Sequence, residues 1–350
     1  MTGHSDRRLD GRRATIRDVA ARAAVSHQTV SRVINGHESV AESTRQRVVS
    51  AIRELGYVPS PMARGLISNR THSLGMVTAD VSDGFFARAV AGAESEARRR
   101  NFYLIVGSVE ESPDDEEGTG YLRLMLERRV EGLILARPGI VFAGEQLQGA
   151  ASAGIPLVSI ASAELPGFTV VDVDNRRGGF EATAHLIEQG HRSIATVVGP
   201  LDWPSAAARL EGYRDALRQA GIAEDPALVE SAPDWGLESG HAATDHFLRR
   251  GTPFTAIFAH SDLMALGAIQ RLRSAALQVP EDISVIGFDD LPIAAYVDPP
   301  LTTVHQPMRE VGELAASVVL DRIAGSDPGE GPHLLPASLV VRRSTARRRG

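Results

Sequence analysis

The sequence predicts an α-helical helix-turn-helix head joined to a two-lobed α/β body whose parallel sheets are doubly wound. Three observations predict it. Three short amphipathic helical stretches fall before residue 57, a proline-bearing linker follows, and from Leu74 two successive series of short apolar strands alternate with helices. At 350 residues the chain also exceeds the usual span of one hydrophobic core, so more than one domain is expected.

Charge separates the same parts. Residues 1–70 carry 12 Arg and 6 acids, a balance of +6, while the remaining 25 Arg and 38 acids give −13; Lys is absent throughout. A basic segment on an acidic body suits a polyanion-binding head, and a solvated Arg-rich arm has the same composition. Cys is absent, which excludes disulfides and Cys-based zinc sites. The first residues hold Arg and Asp with no apolar signal core, and no apolar run is long enough to cross a bilayer. A cytoplasmic location without membrane contact is therefore expected.

Residues 1–13 are expected as a flexible tail and 14–59 as the head. In "TIRDVAARA", Ile16, Val19, Ala20 and Ala23 recur at helical spacing, with Thr15 as N-cap and Asp18 near the positive helix end. A tight "AVS" connection leads to a second helix capped by Ser26 and running to about Ile34. The third, "TRQRVVSAIRELG", presents Val48, Ala51, Ile52 and Leu55 and stops at Gly56. Ala41 stands where a capping Ser is common, so this helix is expected to begin later, at Ser43. Residues 60–72 form the hinge: Ser60-Pro61 can start one or two turns over 61–69, too short and Gly-bearing to be stable alone.

The body is expected over 73–350. Strand-like runs "LGMVTA", "FYLIVGSV", "GLILARP", "PLVSIA" and "FTVVDVD" alternate with helices near 85–100 and 121–129. The second series has helices near 180–189, 206–220, 239–250 and 262–276 between the strands "SIATVVG", "TAIFAHS" and "ISVIGFDD". One more helix, "MREVGELAASVVLDRIAG", and one strand, "HLLPASLVVRRS", close the chain. The expected lobes are about 73–173 with 308–335, and about 174–307 with 336–350. Parallel sheets take ligands outside the carboxyl ends of their strands, so the ligand is expected in the cleft between the lobes.

The second head helix buries Val25, Val30, Val33 and Ile34 yet shows Gln28, Thr29, Ser31 and Arg32 to solvent. A helix-turn-helix explains that face: Gln addresses adenine, Arg addresses guanine, and neutral hydroxyls reach phosphates without desolvating a charge. An ordinary helical hairpin has the same apolar pattern. Enzyme classes find little support, since no GxGxxG, GxxxxGK[ST] or GxSxG occurs. The pairs His185 with His191 and His241 with His246 lack helical metal-ligand spacing, so neither metal nor cofactor is expected. The run "DDEEG" at 114–118 reads as a helix N-terminus and "DVD" at 172–174 as a strand end at the lobe crossover.

Taken together, "TIRDVAARAAVSHQTVSRVIN", "STRQRVVSAIRELGYVPSPMARGL", "GPLDWPSAAARLEGY", "HSDLMALGA", "ISVIGFDD" and "PPLTTVHQPMREVG" closely resemble the lac repressor (LacI/GalR) family of bacterial transcription regulators, from Thr15 onward. The resemblance implies a periplasmic-binding-protein-like body. It also implies that His27, Gln28 and Arg32 read bases, that Thr15, Ser26, Thr29, Ser31 and Asn35 meet phosphates, and that Leu66, beside Ala63 and Arg64, wedges into the minor groove of a palindromic operator. For the effector it implies Arg209 as a clamp, Asp289 as acceptor and Trp235 as a stacking surface, with Ser261, Gln306, Ser205 and Phe86 as wall residues. Trp203 has no counterpart and is expected as loop packing. Ala161 replaces a family acid and Ser261 an asparagine.

These residues suit a sugar, and also a purine or nucleoside, which other branches bind. The implied protein is a homodimeric regulator of double-stranded operator DNA, a switch and not an enzyme. "STARRRG" carries no leucine heptad, so no helical tetramerisation tail is expected. A secreted sugar receptor would share the body but not the basic head.

Overall fold

The computed structural model describes residues 14–34, 37, 39–57, 70–81, 84–109, 116–136, 144–160, 168–326, 329 and 331–348. Two compact units make up the chain, Met1–Thr71 and His72–Gly350.

In the first unit α1 (Ile16–Arg22), α2 (His27–Ile34) and α3 (Glu42–Leu55) enclose a small core around Val19, Val30 and Val48, all fully buried. Thr15 and Asp18 form a reciprocal capping box at α1. The turn into α2 places Ala24 in the left-handed region at φ 52°, and Gly56 ends α3 at φ 58°. Helix α3 starts at Glu42, before the expected Ser43, and Ala41 gives it no side-chain cap. An acid in the first turn, Glu42, favours the early start through the helix dipole.

The second unit holds two six-stranded sheets. The first runs through β1 (Ser73–Ala79), α4 (Phe85–Arg99), β2 (Tyr103–Val109), α5 (Glu116–Glu127), β3 (Gly132–Ala136), α6 (Gly144–Ser152), β4 (Leu157–Ile160) and β5 (Thr169–Val173). The second runs through α7 (Asn175–Glu188), β6 (Ile194–Val198), α8 (Pro204–Gln219), β7 (Val229–Ser231), α9 (Leu237–Arg250), β8 (Ala256–Ala259), α10 (Asp262–Ser274), β9 (Ser284–Asp289) and β10 (Thr302–His305). Then α11 (Met308–Ile323) packs on α4 and the first sheet, and β11 (His333–Leu335) and β12 (Ser338–Val340) close one sheet each.

Strand orders are β11-β5-β4-β3-β1-β2 and β12-β10-β9-β8-β6-β7, parallel except for β12 against β10. Every residue of β1, β3, β4, β6, β8 and β9 is buried, which is why these strands read as continuous apolar runs, without alternation.

The C-terminal segment, expected as one strand, is two, in different sheets. Pro336 between them has no N–H to continue a ladder. Helix α7 begins at Asn175, five residues before the expected 180, because Asp174 caps it by accepting from the Arg177 N–H at 2.9 Å.

Candidate ligand cleft and nucleic-acid interface

On α2, His27, Gln28 and Arg32 are exposed, Thr29 and Ser31 are half-buried, and Val30 and Val33 face the core. The exposed Ser26 Oγ accepts from the Thr29 N–H at 3.1 Å and lies 2.9 Å from Thr29 Oγ1, so capping fixes both hydroxyls at the helix start. Thr15 is different: its hydroxyl and its N–H both donate to Asp18 Oδ2, at 2.7 and 2.8 Å. A phosphate contact there requires one donor to turn from Asp18. Asn35, Ala63, Arg64, Leu66 and Ala161 lie outside the described residues.

The second unit contains a cavity of about 510 Å³ where carboxyl ends of strands from both sheets meet. Its walls include Arg209, Asp289, Trp235, Ser261, Gln306, Ser205 and Phe86 together, although they span more than 200 positions of sequence.

Arg209 sits in the buried face of α8, where it is 4% exposed. Its Nε donates to Asn175 Oδ1 at 2.8 Å and its Nη1 to the His260 carbonyl, and Asp289 Oδ1 lies 3.8 Å from Nη1. The guanidinium carbon stands 3.8 Å over the Phe288 ring and 5.1 Å over Trp235. Burial lowers its pKa to about 10, a shift that Asp289, Asp172 and Asp262 oppose. Close helix contact positions it: a Cβ at Gly179 on α7 would collide with the Arg209 carbonyl.

Asp289 ends β9 with φ 118°, and Asp290 follows at φ 53°, both in the left-handed half of backbone space that only glycine enters freely. Two devices hold this turn. Gln306 Nε2 donates to Asp289 Oδ1 at 2.6 Å, and buried Asp262 accepts from the Leu291 N–H at 2.7 Å and from the Thr303 hydroxyl. Burial first, then the Asp289 charge, pushes the Asp262 pKa well up.

Ser261 lines the cleft, yet its hydroxyl donates to the Trp235 carbonyl at 2.8 Å and accepts from the Met264 N–H at 3.0 Å. It caps α10 and fixes the tryptophan's backbone. Trp235 packs its six-membered ring over Gly199, and its buried Nε1 has no hydrogen-bond partner among the described residues. Trp203, expected as loop packing, lines the cleft and meets Trp235 at 5.5 Å between ring centroids and 67° between planes. Phe85 and Phe86 form a second edge-to-face pair, on α4.

Asp80, Asp172, Asn175, Asp234 and Glu238 also line the cleft, and residue pattern alone did not select them. Asp172 carried a signal, the "DVD" at the end of β5. Burial raises its pKa to about 6 against the opposing Val173 N–H, the Arg209 charge and Asn175. The histidines set aside as structural are engaged: His185 with Thr345 at 3.0 Å, His191 with Thr255 and Ser284 at 2.9 and 3.0 Å. No cluster of metal-ligating side chains occurs among the described residues, and no helix there is long and apolar enough to cross a membrane.

A helix-turn-helix head and a two-lobed ligand cleft on one chain define a DNA-binding regulator that reports a small molecule. The chain belongs to the lacI family of bacterial regulatory proteins: residues 15–60 match that family, and residues 183–345 match a periplasmic binding protein-like domain. It is 35% identical over 334 residues to the HTH-type transcriptional repressor CytR of Escherichia coli K12, covering 95% of this chain and 96% of the relative. With the HTH-type transcriptional regulator CelR of Thermobifida fusca it shares 38% over 345 residues, 95% and 98% of the two chains. The lac repressor dimer bound to operator and the anti-inducer ONPF matches with a TM-score of 0.86 at 31% identity, over 96% of this chain and 100% of that one. A CelR–cellobiose complex matches with 0.71 at 36%, over 95% and 100%. The protein is a sequence-specific DNA-binding transcriptional regulator.

Proposed function

We propose that this regulator is a homodimeric repressor whose grip on a palindromic operator is set by a carbohydrate in the cleft, and that it acts as a switch without catalysing a reaction. The observation that carries the effector reading is the juxtaposition of buried Arg209, the acceptor Asp289 and the Trp203–Trp235 pair in one cavity. Sugar hydroxyls both donate and accept, so carboxylates and a guanidinium serve the rim while tryptophan covers the C–H face. Cellobiose in the related CelR complex supports the same class. The sites proposed for DNA are the exposed His27, Gln28 and Arg32 for bases and Ser26, Thr29 and Ser31 for phosphates. Leu66, with Ala63, Arg64 and Asn35, is retained in these roles on the family resemblance.

Dimerisation is supported by an apolar edge. Strand β2 closes one side of the first sheet, and Tyr103, Ile105 and Val106 on it are exposed, as are Tyr121 and Leu124 on α5, whose Tyr121 ring covers Gly107. Such an exposed row of apolar strand residues invites pairing with a second copy. The test is thermal shift of the full chain with sugars and with purine nucleosides, paired with retardation of an operator palindrome. Stabilisation by purines and by no sugar would replace the carbohydrate reading with a nucleoside one.

A further inference from the structure

We propose that Trp203 supplies the face against which the effector's ring lies, and that Trp235 stands behind it as a positioning residue. This rests on the reading that an effector occupies the cleft, and it assigns the contact within that site.

Trp235 is built into the wall. A Cβ at Gly199 would come within 2.4–2.7 Å of three adjacent carbons of its six-membered ring, Cη2, Cζ3 and Cε3, so the glycine lies against the ring face. One face there is spent on the sheet. The Arg209 guanidinium carbon stands 5.1 Å over the indole, the Ser261 hydroxyl holds the Trp235 carbonyl at 2.8 Å, and Nε1 is closed to solvent. A side chain packed this closely cannot swing out to meet a ligand without opening a void behind it.

Trp203 is placed differently. It is the N-cap residue of α8 at the cavity wall, and its indole N–H is not closed off as that of Trp235 is. Its backbone is nonetheless fixed. The N–H donates to the Pro200 carbonyl at 3.0 Å, and the carbonyl accepts from the Ala206 and Ala207 N–H groups at 3.0 and 3.3 Å. Pro204 follows, and a residue before proline is held extended, here at φ −88° and ψ 121°. The contact with Trp235, 5.5 Å between centroids at 67°, braces the ring; because the planes cross, it does not cover Trp203 as a stacked partner would. A fixed, uncovered indole favours ligands that present a flat face, the C–H side of a pyranose or a purine, and its preorganisation adds affinity. Position 203 thereby determines which effectors bind.

Trp203 and Trp235 are the chain's two tryptophans, so Trp235→Phe and Trp203→Phe each leave one indole to report. Full-length variants that still retard operator DNA are compared by acrylamide quenching of fluorescence, alone and with cellobiose, glucose, ribose or adenosine. Without ligand, Trp203 is expected to be quenched several-fold more strongly than Trp235. A bound probe is expected to protect Trp203 and leave the Trp235 signal nearly unchanged. In calorimetry, Trp203→Ala is expected to weaken binding of that probe about tenfold or more, as truncation of a central tryptophan anchor does. Equal quenching of the two indoles, protection of Trp235 alone, or a Trp203→Ala affinity equal to that of the unsubstituted protein overturns the assignment and leaves the carbohydrate reading standing. Protection of Trp203 by adenosine, with no response to any of the three sugars, supports the assignment and overturns the carbohydrate reading.

Discussion

Asn175 Oδ1 receives the Nε of Arg209 at 2.8 Å, and both side chains are buried at 4% exposure. The first residue of α7 therefore aims the cation of α8. Without that acceptor the guanidinium keeps a buried N–H unsatisfied and gains freedom to swing toward Asp172 or Asp289. Leaving a buried charged donor unpaired costs about 1–3 kcal/mol, or more. Asn175→Ala is thus expected to weaken effector binding about tenfold or more while leaving operator binding without effector within about twofold. Calorimetry and fluorescence anisotropy read the two separately, and an effector affinity unchanged by the substitution would sink the positioning role.

Asp172 gives the cleft a pH response. Its pKa in the fold, about 6, lies above its ordinary 3.8, so the folded chain holds the extra proton between those values. The group's contribution to stability is therefore fully present below about pH 4 and is lost as pH rises through 6. Binding runs the other way. The ionised carboxylate accepts sugar hydroxyls, so affinity is expected to fall as pH drops from 7 to 5. Asp172→Asn should flatten both trends over that window. Identical pH slopes in the two proteins, measured by thermal melting and by titration, would contradict the assignment.

Much of this was legible in sequence, for identifiable reasons. The capping box at Thr15, the Gly56 stop and the fully buried strands depend on local or short-range rules, and those rules held. Arg209 and Asp289 were found through motif resemblance. What escaped was long-range: Asn175 looks like any helix start until α8 is laid against it, and Trp203 looks like loop until Trp235 arrives 32 positions later. Ser261 lines the cavity, but its hydroxyl is consumed by Trp235 and Met264, a competition no spacing reveals. The late start expected for α3 failed because a missing cap is a weak signal beside an acid in the first turn.

In the head, Gln28 and Arg32 stand exposed on the face of α2 opposite the buried Val30 and Val33. Base contacts discriminate by about 1–3 kcal/mol each, so Gln28→Ala and Arg32→Ala should each lower operator affinity tenfold or more and relax preference at one base pair per half-site. Val30→Ala works differently: it opens a void in the core of the head and should cost about 2 kcal/mol of its stability. A Leu66→Gly chain should lose operator affinity and keep effector binding, whereas equal loss of both would remove the wedge role. Competition binding against scrambled duplexes separates loss of specificity from loss of fold.

The exposed edge on β2 predicts how the dimer fails. Tyr103 is 61% exposed beside Ile105 and Val106, a row that a second copy would cover. Tyr103→Asp with Ile105→Asp places two like charges in that row, and a charge buried unpaired is costly. Sedimentation should show a folded monomer whose effector affinity is retained and whose affinity for a full palindrome falls to that for a half-site. A variant that remains dimeric would move the interface elsewhere.

Coupling between cleft and lobes has a specific candidate. Arg88 on α4, from the first sheet's side, donates through Nη2 to the Asp290 carbonyl of the second at 3.0 Å. The Asp290 carboxylate meanwhile accepts from Arg342 at 2.6 Å and lies 3.1 Å from His305 Nδ1. The turn bearing Asp289 is thus anchored within its own lobe by Asp262, Gln306, Arg342 and His305, and to the opposite lobe by Arg88. A ligand shifts an equilibrium only through contacts that differ between its states. Any pull on Asp289 that displaces this turn stretches or shortens the Arg88 link, which makes the link sensitive to ligand while leaving the intralobe anchors intact. Arg88→Ala is therefore expected to reduce the ratio of operator affinities with and without effector by about fivefold, near the lower end of the 1–3 kcal/mol range of allosteric couplings. Effector affinity of the isolated chain should change less than that ratio, because Arg88 does not line the cavity. Anisotropy of a labelled operator titrated at zero and saturating effector measures it, and a ratio equal to that of the unsubstituted protein would show that the lobes communicate by another route.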